Sequence, residues 1–423
     1  MFGAERAVLV AVELPGAPID SRLRELASLA DTAGVPTVER VIQRRSRPDP
    51  SFYIGLGKVQ EVRSLVSTAA ADVVIFDHAL SPAQARNLEE AIACKVIDRS
   101  QLILDIFAQR ATTKESKLQV ELAQLHYLLP RLRGWGQALT RLGGGIGTRG
   151  PGETQLELDR NKVTRRIHAL ERQLRRAGRE RALRRRQRSR SDLPQVVIVG
   201  YTNSGKSTLL RCLSGAAATV EDKLFATLAP AVRRADLGDG RTALLTDTVG
   251  FVQALPHELV EAFASTLEAA RSADLVLHVI DASSPAALAE RQVVIDTLDD
   301  AVFDDDVRPP VLDVWNKIDL VDRETDLPSD ADRGVAVSAL AGTHLDRLRW
   351  TVSALLDRDC EPSTWLVPFT ATSLVHELKR QHELHVEAYT EAGMRITAKL
   401  PLPQQLRLRA SGATPLSDAG LST

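Results

Sequence analysis

The sequence of 423 residues predicts a multidomain α/β protein. Three observations support this fold class: short aliphatic runs alternate with helical patterns over residues 6–104, a second such series starts after Pro194, and two apolar-striped helical segments lie between them. The length suits about two to four domains. A small α+β domain with a strand–helix–strand pattern is expected after the second series, and the tail from about Arg409 is expected to be disordered. The predicted domains are an N-terminal parallel α/β domain (1–112), a helical hairpin (113–191), a second α/β domain (192–358), and a small C-terminal domain with its tail (359–423).

The N-terminal aliphatic runs are candidate strands of one parallel sheet, because strand–helix alternation provides the crossovers that parallel strands need. These runs cover residues 7–14, 37–43, 72–77 and 95–99. The turn 54-IGLGKVQEV-62 precedes a helical pattern and could hold a phosphate. A single Gly-x-Gly-Lys is weak evidence, and a tight turn is the favoured interpretation.

A glycine-rich segment, 143-GGGIGTRGPGETQLELD-159, separates two long helical patterns. Both patterns carry narrow apolar stripes, which favours antiparallel packing and makes the glycine-rich segment the tip of a hairpin. We expect each stripe to be buried by the other helix, so that the hairpin projects from the body. The stripes are Leu118, Leu122, Leu125, Leu129 and Leu132, and then Leu156, Val163, Ile167, Leu170 and Leu174.

Charge is concentrated in one segment. The formal net charge is −1, yet residues 160–190 hold 14 lysines and arginines against 2 acidic residues, so the rest of the chain carries −13. This asymmetry indicates a polyanionic partner, with nucleic acid as the leading case. A solvated helix face or a basic linker without a partner is the alternative.

Cysteine usage and hydropathy point to a reduced, cytoplasmic protein. Cys94, Cys212 and Cys360 lie far apart and have no metal-ligand spacing. No apolar run reaches transmembrane length, and the N-terminus is typical of a first strand rather than of a signal peptide.

The stretch 200-GYTNSGKS-207 matches the P-loop pattern in full, after a predicted strand and before a predicted helix. Its backbone amides can wrap a phosphate at the helix N-terminus. Lys206 places its charge between the β- and γ-phosphates, and the Ser207 hydroxyl can bind Mg²⁺. The predicted phosphate-binding residues are Gly200, Tyr201, Thr202, Asn203, Ser204, Gly205, Lys206, Ser207 and Thr208.

Two later motifs predict guanine recognition. The carboxylate of Asp319, in the motif Asn-Lys-Ile-Asp, can accept hydrogens from guanine N1 and N2, which adenine does not offer. Backbone amides of the motif Ser-Ala-Leu can meet guanine O6. The sequence therefore predicts GTP over ATP, with base contacts from Asn316, Lys317, Ile318, Asp319, Ser338, Ala339 and Leu340.

Two segments between these motifs are candidate sensors of the γ-phosphate. Asp247 ends a predicted strand and can hold Mg²⁺ through water, while the Gly250 amide can touch the γ-phosphate. Thr227 is the predicted switch threonine that completes the Mg²⁺ site, and Thr219 is its nearby competitor. The residues assigned to these segments are Phe225, Ala226, Thr227, Leu228, Asp247, Thr248, Val249 and Gly250.

The predicted catalytic groups are Lys206, Thr227 and Gly250. Phe251 stands where common signalling GTPases carry a water-orienting glutamine, so intrinsic hydrolysis should be slow. Asn203 is a candidate ligand of a monovalent cation such as K⁺, which would neutralise charge developing near the phosphates.

Four stretches are specific marks of one family: 145-GIGTRGPGETQLELDR-160, 117-KLQVELAQL-125, 224-LFATLAP-230 and 247-DTVGF-251. In these residues the sequence resembles the HflX family of GTPases, close to the Obg family, and the resemblance covers nearly the whole chain. The resemblance implies an N-terminal α/β domain with a helical hairpin, a GTPase domain and a small C-terminal domain. It also implies binding to the large ribosomal subunit and GTP-dependent splitting of stalled or idle ribosomes. An N-terminal ATPase activity is attributed to the family, and no residue here locates it.

One departure concerns the family pattern FATLDPT, where this chain has Ala229 and Ala231 in place of Asp and Thr. It puts side-chain contacts after Thr227 in doubt, but not Thr227 itself.

The resemblance and the basic hairpin together predict a factor that binds GTP or GDP and the RNA of the large subunit. The expected protein is a cytoplasmic monomer with Mg²⁺ as cofactor and no obligatory membrane. The alternatives are a large-subunit assembly factor and a signalling GTPase that acts on a protein effector. The predicted RNA contacts are Arg131, Arg133, Arg141, Gly145 and Arg149.

Overall fold

The structure is a computed structural model. It describes residues 5–15, 19–132, 151–188, 193–215, 224–225, 231–238, 241–252, 269–301, 303, 308–321, 334–357, 362–400 and 402–416. Within the helix that spans 151–188, side chains are described for residues 160–178. No helix of these ranges is long and apolar enough to cross a membrane.

The N-terminal domain contains the predicted parallel sheet. Its strands run in the order β2-β1-β3-β4, and every neighbouring pair is parallel. The first six residues of β1 are buried, as expected for a central strand covered on both faces. The elements are β1 (Ala7–Glu13), α1 (Ile19–Thr32), β2 (Thr37–Arg44), α2 (Leu56–Ala69), β3 (Val73–Phe76), α3 (Pro82–Ile92), β4 (Lys95–Asp98) and α4 (Arg99–Arg110).

Two further helices, α5 (Lys114–Leu128) and α6 (Pro151–Arg188), match the predicted hairpin arms. Thr113 caps α5, since its side chain accepts a hydrogen bond from the amide of Ser116. The two helices are joined by a bidentate ion pair between Arg166 and Glu121, with N–O distances of 2.6 and 2.8 Å.

The packing of α5 differs from the expectation that its leucine stripe is its main buried face. The stripe residues are only half-buried, whereas the fully buried side chains lie on another face, and α5 contacts α4. The helix is therefore held by the N-terminal domain as well as by α6, because small and polar residues allow close approach to α4. Its buried residues are Ser116, Gln119, Val120, Ala123 and Tyr127.

The second α/β domain has a six-stranded sheet in the order β10-β9-β8-β5-β7-β6. All pairs are parallel except the edge pair of β6 and β7. Five strands lie within the apolar runs of the second series, at 195–200, 241–250, 274–282, 309–319 and 333–339, whereas β6 lies outside them. The elements are β5 (Gln195–Gly200), α7 (Lys206–Ser214), β6 (Ala231–Gly238), β7 (Arg241–Asp247), β8 (Leu275–Asp281), α8 (Ala287–Ala301), β9 (Val311–Asn316), β10 (Val335–Ala336) and α9 (Leu345–Leu356).

The C-terminal domain is an antiparallel sheet in the order β12-β13-β11-β14, which is larger than the predicted strand–helix–strand unit. The prediction of a disordered tail from about Arg409 is wrong up to residue 416, because β14 pairs with β11. The elements are β11 (Pro362–Val367), α10 (Thr372–Lys379), β12 (Leu384–Thr390), β13 (Gly393–Lys399), α11 (Leu402–Ala410) and β14 (Thr414–Leu416).

A buried arginine joins the second α/β domain to the C-terminal domain. Arg241, the first residue of β7, forms a 2.8 Å ion pair with Asp357 directly after α9. Its guanidinium also donates to the carbonyl oxygen of Gln381, which follows α10. The amide of Thr242 donates to the carbonyl oxygen of Arg380 at 2.6 Å. These contacts fix the end of α10 against the start of β7.

Candidate functional site

The predicted P-loop lies between the end of β5 and the start of α7, at the carboxyl edge of the parallel sheet, where α/β proteins bind ligands. Its first turn is held by the segment that follows β7. The amide of Thr202 donates to the carbonyl oxygen of Phe251 at 2.7 Å, and the amide of Phe251 donates to that of Gly200 at 3.1 Å. The P-loop and the segment ending at Phe251 therefore form one structural unit.

The two P-loop glycines are required by close approaches. A Cβ atom on Gly200 would lie 2.2 Å from the carbonyl oxygen of Val279, and one on Gly205 would lie 2.1 Å from Nδ2 of Asn316. Both glycines also have positive φ angles, 153° and 94°, which side chains disfavour. Asn203, the candidate K⁺ ligand, has the left-handed φ of 59° that asparagine tolerates better than most residues.

Lys206 is buried at the start of α7, and its Nζ donates to the carbonyl oxygen of Tyr201 at 2.6 Å. Burial lowers the pKa of Lys206 to about 8, with Asp247 raising it and Lys317 lowering it further. Gly250 is close by, since a Cβ atom there would lie 3.0 Å from the lysine Nζ. The predicted catalytic groups Lys206 and Gly250 are thus neighbours.

The predicted magnesium ligands Ser207 and Asp247 are in direct contact. The Ser207 hydroxyl donates to Oδ2 of Asp247 at 2.7 Å. Asp247 is buried at the end of β7, and the next residue, Thr248, donates its hydroxyl to the carbonyl oxygen of Ile198 in β5. A hydroxyl beside a carboxylate supplies the hard oxygen donors that Mg²⁺ prefers, so these residues fit the cation.

Asn316 connects its own motif to the P-loop and to the motif Ser-Ala-Leu. Its Nδ2 donates to the carbonyl oxygen of Ser204 in the P-loop at 2.9 Å. Its Oδ1 accepts the amide of Ala339, also at 2.9 Å. Because Asn316 is buried, both polar ends of its amide need these partners.

Asp319 and Ser338 also come together as predicted. The buried Ser338 donates its hydroxyl to Oδ1 of Asp319, and that hydroxyl accepts the amide of Ala341 at 3.0 Å. Asp319 and the neighbouring Leu340 are exposed, so a base can reach the carboxylate. The structure therefore assembles the motifs from 200–208, 247–250, 316–319 and 338–340 at one edge of the sheet.

The sequence motifs do not include Asp281, the last residue of β8. Its Oδ2 pairs with Nζ of Lys317 at 2.7 Å, and its Oδ1 accepts both the amide and the hydroxyl of Ser283. An acidic residue at the carboxyl end of the strand beside β9 was the available signal. The motifs also do not indicate the contact of Cys212, whose thiol lies 2.9 Å from the carbonyl oxygen of Ala339.

Several predicted residues lie outside the described ranges, and their assignments stay predictions. They are Ala226, Thr227 and its competitor Thr219, Leu228, Arg133, Arg141, Gly145 and Arg149. Phe225 is described: it is buried, and its ring packs edge-to-face on that of Phe107 in α4, with 4.5 Å between centroids. This contact is apolar packing.

Arg131, a predicted RNA contact, is engaged within the protein. Its guanidinium donates to Oδ2 of the buried Asp98 at 3.1 Å and to the carbonyl oxygen of Leu80 at 2.9 Å. It also lies 3.4 Å from the centre of the Tyr127 ring. We interpret Arg131 as a structural residue that joins the segment after α5 to the end of β4. These contacts within the protein give no support to an RNA contact.

Three family models match the chain: "GTP-binding GTPase N-terminal" over residues 20–108, "GTP-binding GTPase Middle Region" over 110–188, and "50S ribosome-binding GTPase" over 195–317. Curated relatives include the GTPase HflX of Caldanaerobacter subterraneus subsp. tengcongensis, 45% identical over 96% of this chain and 93% of that protein. The GTPase HflX of Escherichia coli K12 is 44% identical over 86% of each chain. A GTP-binding protein from Sulfolobus solfataricus, solved with GDP, is 25% identical over 84% of this chain and 99% of that one, with a TM-score of 0.43.

Proposed function

Because this chain belongs to the HflX family of GTPases and hydrolyses GTP, we propose that it acts on the large ribosomal subunit and that its GTP-bound form splits stalled or idle ribosomes. The match to a 50S ribosome-binding GTPase family and the basic helix α6 support this proposal. The protein is proposed to act as a cytoplasmic monomer.

The proposed GTP site is the assembled sheet edge. The P-loop amides and Lys206 bind the phosphates, while Ser207 and, through water, Asp247 hold Mg²⁺. The cation would supply charge neutralisation at the β- and γ-phosphates. The bond between Ser207 and Asp247 supports this assignment, since the donors already meet within 2.7 Å.

Guanine selection is assigned to Asp319 and to the amides near Ala339. A carboxylate that must accept two hydrogens rejects adenine by leaving its own oxygens unpaired. The exposure of Asp319 and its bond to Ser338 support this role, because the serine orients the carboxylate while both of its oxygens keep lone pairs that can accept hydrogens from the base.

Hydrolysis depends on Lys206 and Gly250 at the γ-phosphate and on Thr227 as the proposed third Mg²⁺ contact. Phe251 offers no hydrogen bond to water, so turnover by the protein alone is slow and a partner accelerates it. K⁺ at Asn203 is one source of further charge neutralisation. Equal GTPase rates in K⁺ and Na⁺ buffers would remove that cation role.

The observation that carries the RNA-binding proposal is the exposed face of α6. Arg165, Arg172 and Arg176 are spaced by seven and four residues, which places them on one face over about 16 Å of helix. All three are exposed, and among the described residues none of them has an acidic partner within ion-pair distance. Ile167 and Leu170 are buried on the other side. Such a row can neutralise successive phosphates of an RNA strand.

Ribosome splitting would then be driven by the free energy of binding to ribosomal RNA. The GTP form docks on ribosomal RNA, displaces contacts between the subunits, and leaves after hydrolysis changes the switch segments. Sedimentation of 70S ribosomes with the protein and a non-hydrolysable GTP analogue tests this directly. We expect separated subunits with the parent protein and intact 70S particles with Lys206→Ala. Splitting by the Lys206→Ala variant would contradict the mechanism.

Two other functions make different predictions. A large-subunit assembly factor would bind large subunits without separating 70S particles in the same experiment. A signalling GTPase with a protein effector would show less than about a twofold rise in GTPase rate with purified large subunits, and no salt-sensitive RNA binding. The basic face of α6 favours the ribosomal functions over the last.

A further inference from the structure

We propose that Asp281 is a positioning residue for guanine recognition, acting through its ion pair with Lys317. The inference rests on the proposed GTP site, in which Asp319 reads the base. It assigns a role to a residue outside the nucleotide-binding motifs.

The ends of β8 and β9 place the two residues side by side. Asp281 is the register partner of Asn316, the last residue of β9, and Lys317 follows directly. The amide of Ala282 donates to the carbonyl oxygen of Asn316 at 2.8 Å, which fixes the two strand ends to each other. The carboxylate therefore has a defined position from which to hold the next residue of the neighbouring strand.

The carboxylate of Asp281 is itself oriented. Oδ1 accepts the amide of Ser283 at 3.0 Å and its hydroxyl at 2.6 Å, which leaves Oδ2 directed at Nζ of Lys317, 2.7 Å away. The Asp281 and Lys317 side chains are only 17% and 24% exposed. A pair so shielded from solvent is screened less than a surface pair and constrains geometry more strongly.

Lys317 needs such a constraint because its backbone is in the left-handed region, with φ of 66°. That conformation is unfavourable for a residue with a long side chain and persists where surrounding contacts impose it. The turn at Lys317 determines where Asp319, two residues later, presents its carboxylate. Asp281 therefore acts on the base-reading residue through the lysine, without touching the base.

Loss of the Asp281 carboxylate should impair binding of the base rather than the hydrolysis step. For Asp281→Asn we expect GDP affinity to fall about tenfold, measured with a fluorescent GDP analogue, while kcat at saturating GTP stays within about twofold. The ratio of GTP to ITP affinity should also fall. Inosine lacks the N2 amine, and its absence matters less when Asp319 is poorly placed. A purely structural loss of stability would not change this ratio.

A double-mutant cycle isolates the pair. In a Lys317→Met background, Asp281→Asn should reduce GDP affinity by less than about twofold. Asp346→Asn is the matched control, because Asp346 is 98% exposed and pairs with Arg349 on the surface of α9; it should leave affinity and base preference unchanged. Thermal melts confirm that each variant is folded.

Three results would overturn the inference: unchanged GDP affinity in Asp281→Asn, an equal loss in the Lys317→Met background, or a lower kcat with an unchanged GTP to ITP ratio. A separate variant distinguishes failure of the underlying site. If Asp319→Ala keeps normal GDP affinity and base preference, the proposed guanine site itself is wrong, whatever Asp281 does.

Discussion

Ser207 and Asp247 are 40 residues apart in sequence, yet the serine hydroxyl donates a 2.7 Å hydrogen bond to the aspartate Oδ2. The contact joins the first turn of α7 to the end of β7. Each element brings one oxygen donor, and the pairing of β5 with β7 fixes their separation. The Mg²⁺ role proposed for both residues depends on this juxtaposition.

Replacing Ser207 by Ala should remove one proposed Mg²⁺ ligand while leaving the P-loop backbone in place. We expect GTP turnover to fall by about 100-fold, because the cation neutralises charge that develops on the phosphates. The measurement is the GTPase rate over a Mg²⁺ titration, which should no longer reach the parent rate. Ser214→Ala, at the end of α7, is the control. A Ser207→Ala enzyme within about threefold of the parent would contradict the assignment.

The lowered pKa of Lys206 predicts a pH dependence of nucleotide binding. Phosphates bind the protonated amine, so GDP affinity should fall about tenfold per pH unit as pH rises above about 8. Calorimetry in two buffers of different ionisation enthalpy should detect proton uptake on binding above that pH. Affinity that stays constant between pH 7 and 9.5 would contradict this prediction.

The free energy of unfolding should rise with pH above about 8, whereas GDP affinity falls. Between about pH 8 and the ordinary lysine pKa of 10.5, the unfolded chain binds more protons at this site than the folded chain. The contribution of Lys206 to the free energy of unfolding therefore increases with pH in that window. Lys206→Met should abolish this contribution in denaturation curves of the nucleotide-free protein.

The exposed arginines of α6 should set the salt dependence of ribosome binding. The triple variant with alanine at 165, 172 and 176 is expected to bind large subunits more weakly and to lower the slope of log K against log salt by about 2 to 3. Basal GTP hydrolysis should not change. The matched triple lysine variant keeps the charges and should keep the slope. An unchanged slope in the alanine variant would exclude this face from the contact.

The sequence was sufficient for elements whose signal is local. The four N-terminal strands follow aliphatic runs almost residue for residue. Contiguous motifs contain Lys206, Ser207 and Asp319, which the structure brings to one edge of the second sheet. The β6 strand was not predicted from the sequence because six of its eight residues are not buried, so no apolar run marks it. The Asp-Gly pair before β7 was the available hairpin signal.

Pairings between distant residues could not be predicted in the same way. Arg131 and Asp98 are 33 residues apart, and the Asp281–Lys317 pair spans two strands. In the sequence, Arg131 and Asp98 have the type and position of ordinary surface charges, and the motif that contains Lys317 does not indicate Asp281 as its partner. Arg131 was for that reason predicted as an RNA contact from its basic, glycine-rich neighbourhood.

Arg131→Ala should destabilise the N-terminal domain, since it leaves the buried Asp98 without its guanidinium partner. We expect a loss of about 2 kcal/mol in the free energy of unfolding, less than for a fully buried pair because Arg131 is 21% exposed. Adding Asp98→Asn should recover part of the loss. If Arg131 instead contacted RNA, the alanine variant would keep parent stability and lose ribosome affinity.

Arg241→Ala should loosen the C-terminal domain from the second α/β domain. The side chains of Arg241 and Asp357 are 6% and 2% exposed. Removal of the arginine therefore leaves a buried carboxylate without its cation and should lower the free energy of unfolding by about 3 kcal/mol. It also removes the donors to Ser353 and to the carbonyl oxygen of Gln381. Denaturation curves measure the loss, and limited proteolysis should show faster cleavage between the two domains.

Arg349→Ala is the control: its partner Asp346 is 98% exposed, and such surface pairs contribute about 0 to 1 kcal/mol. Equal stability losses in the two variants would show that Arg241 does not hold the domains together.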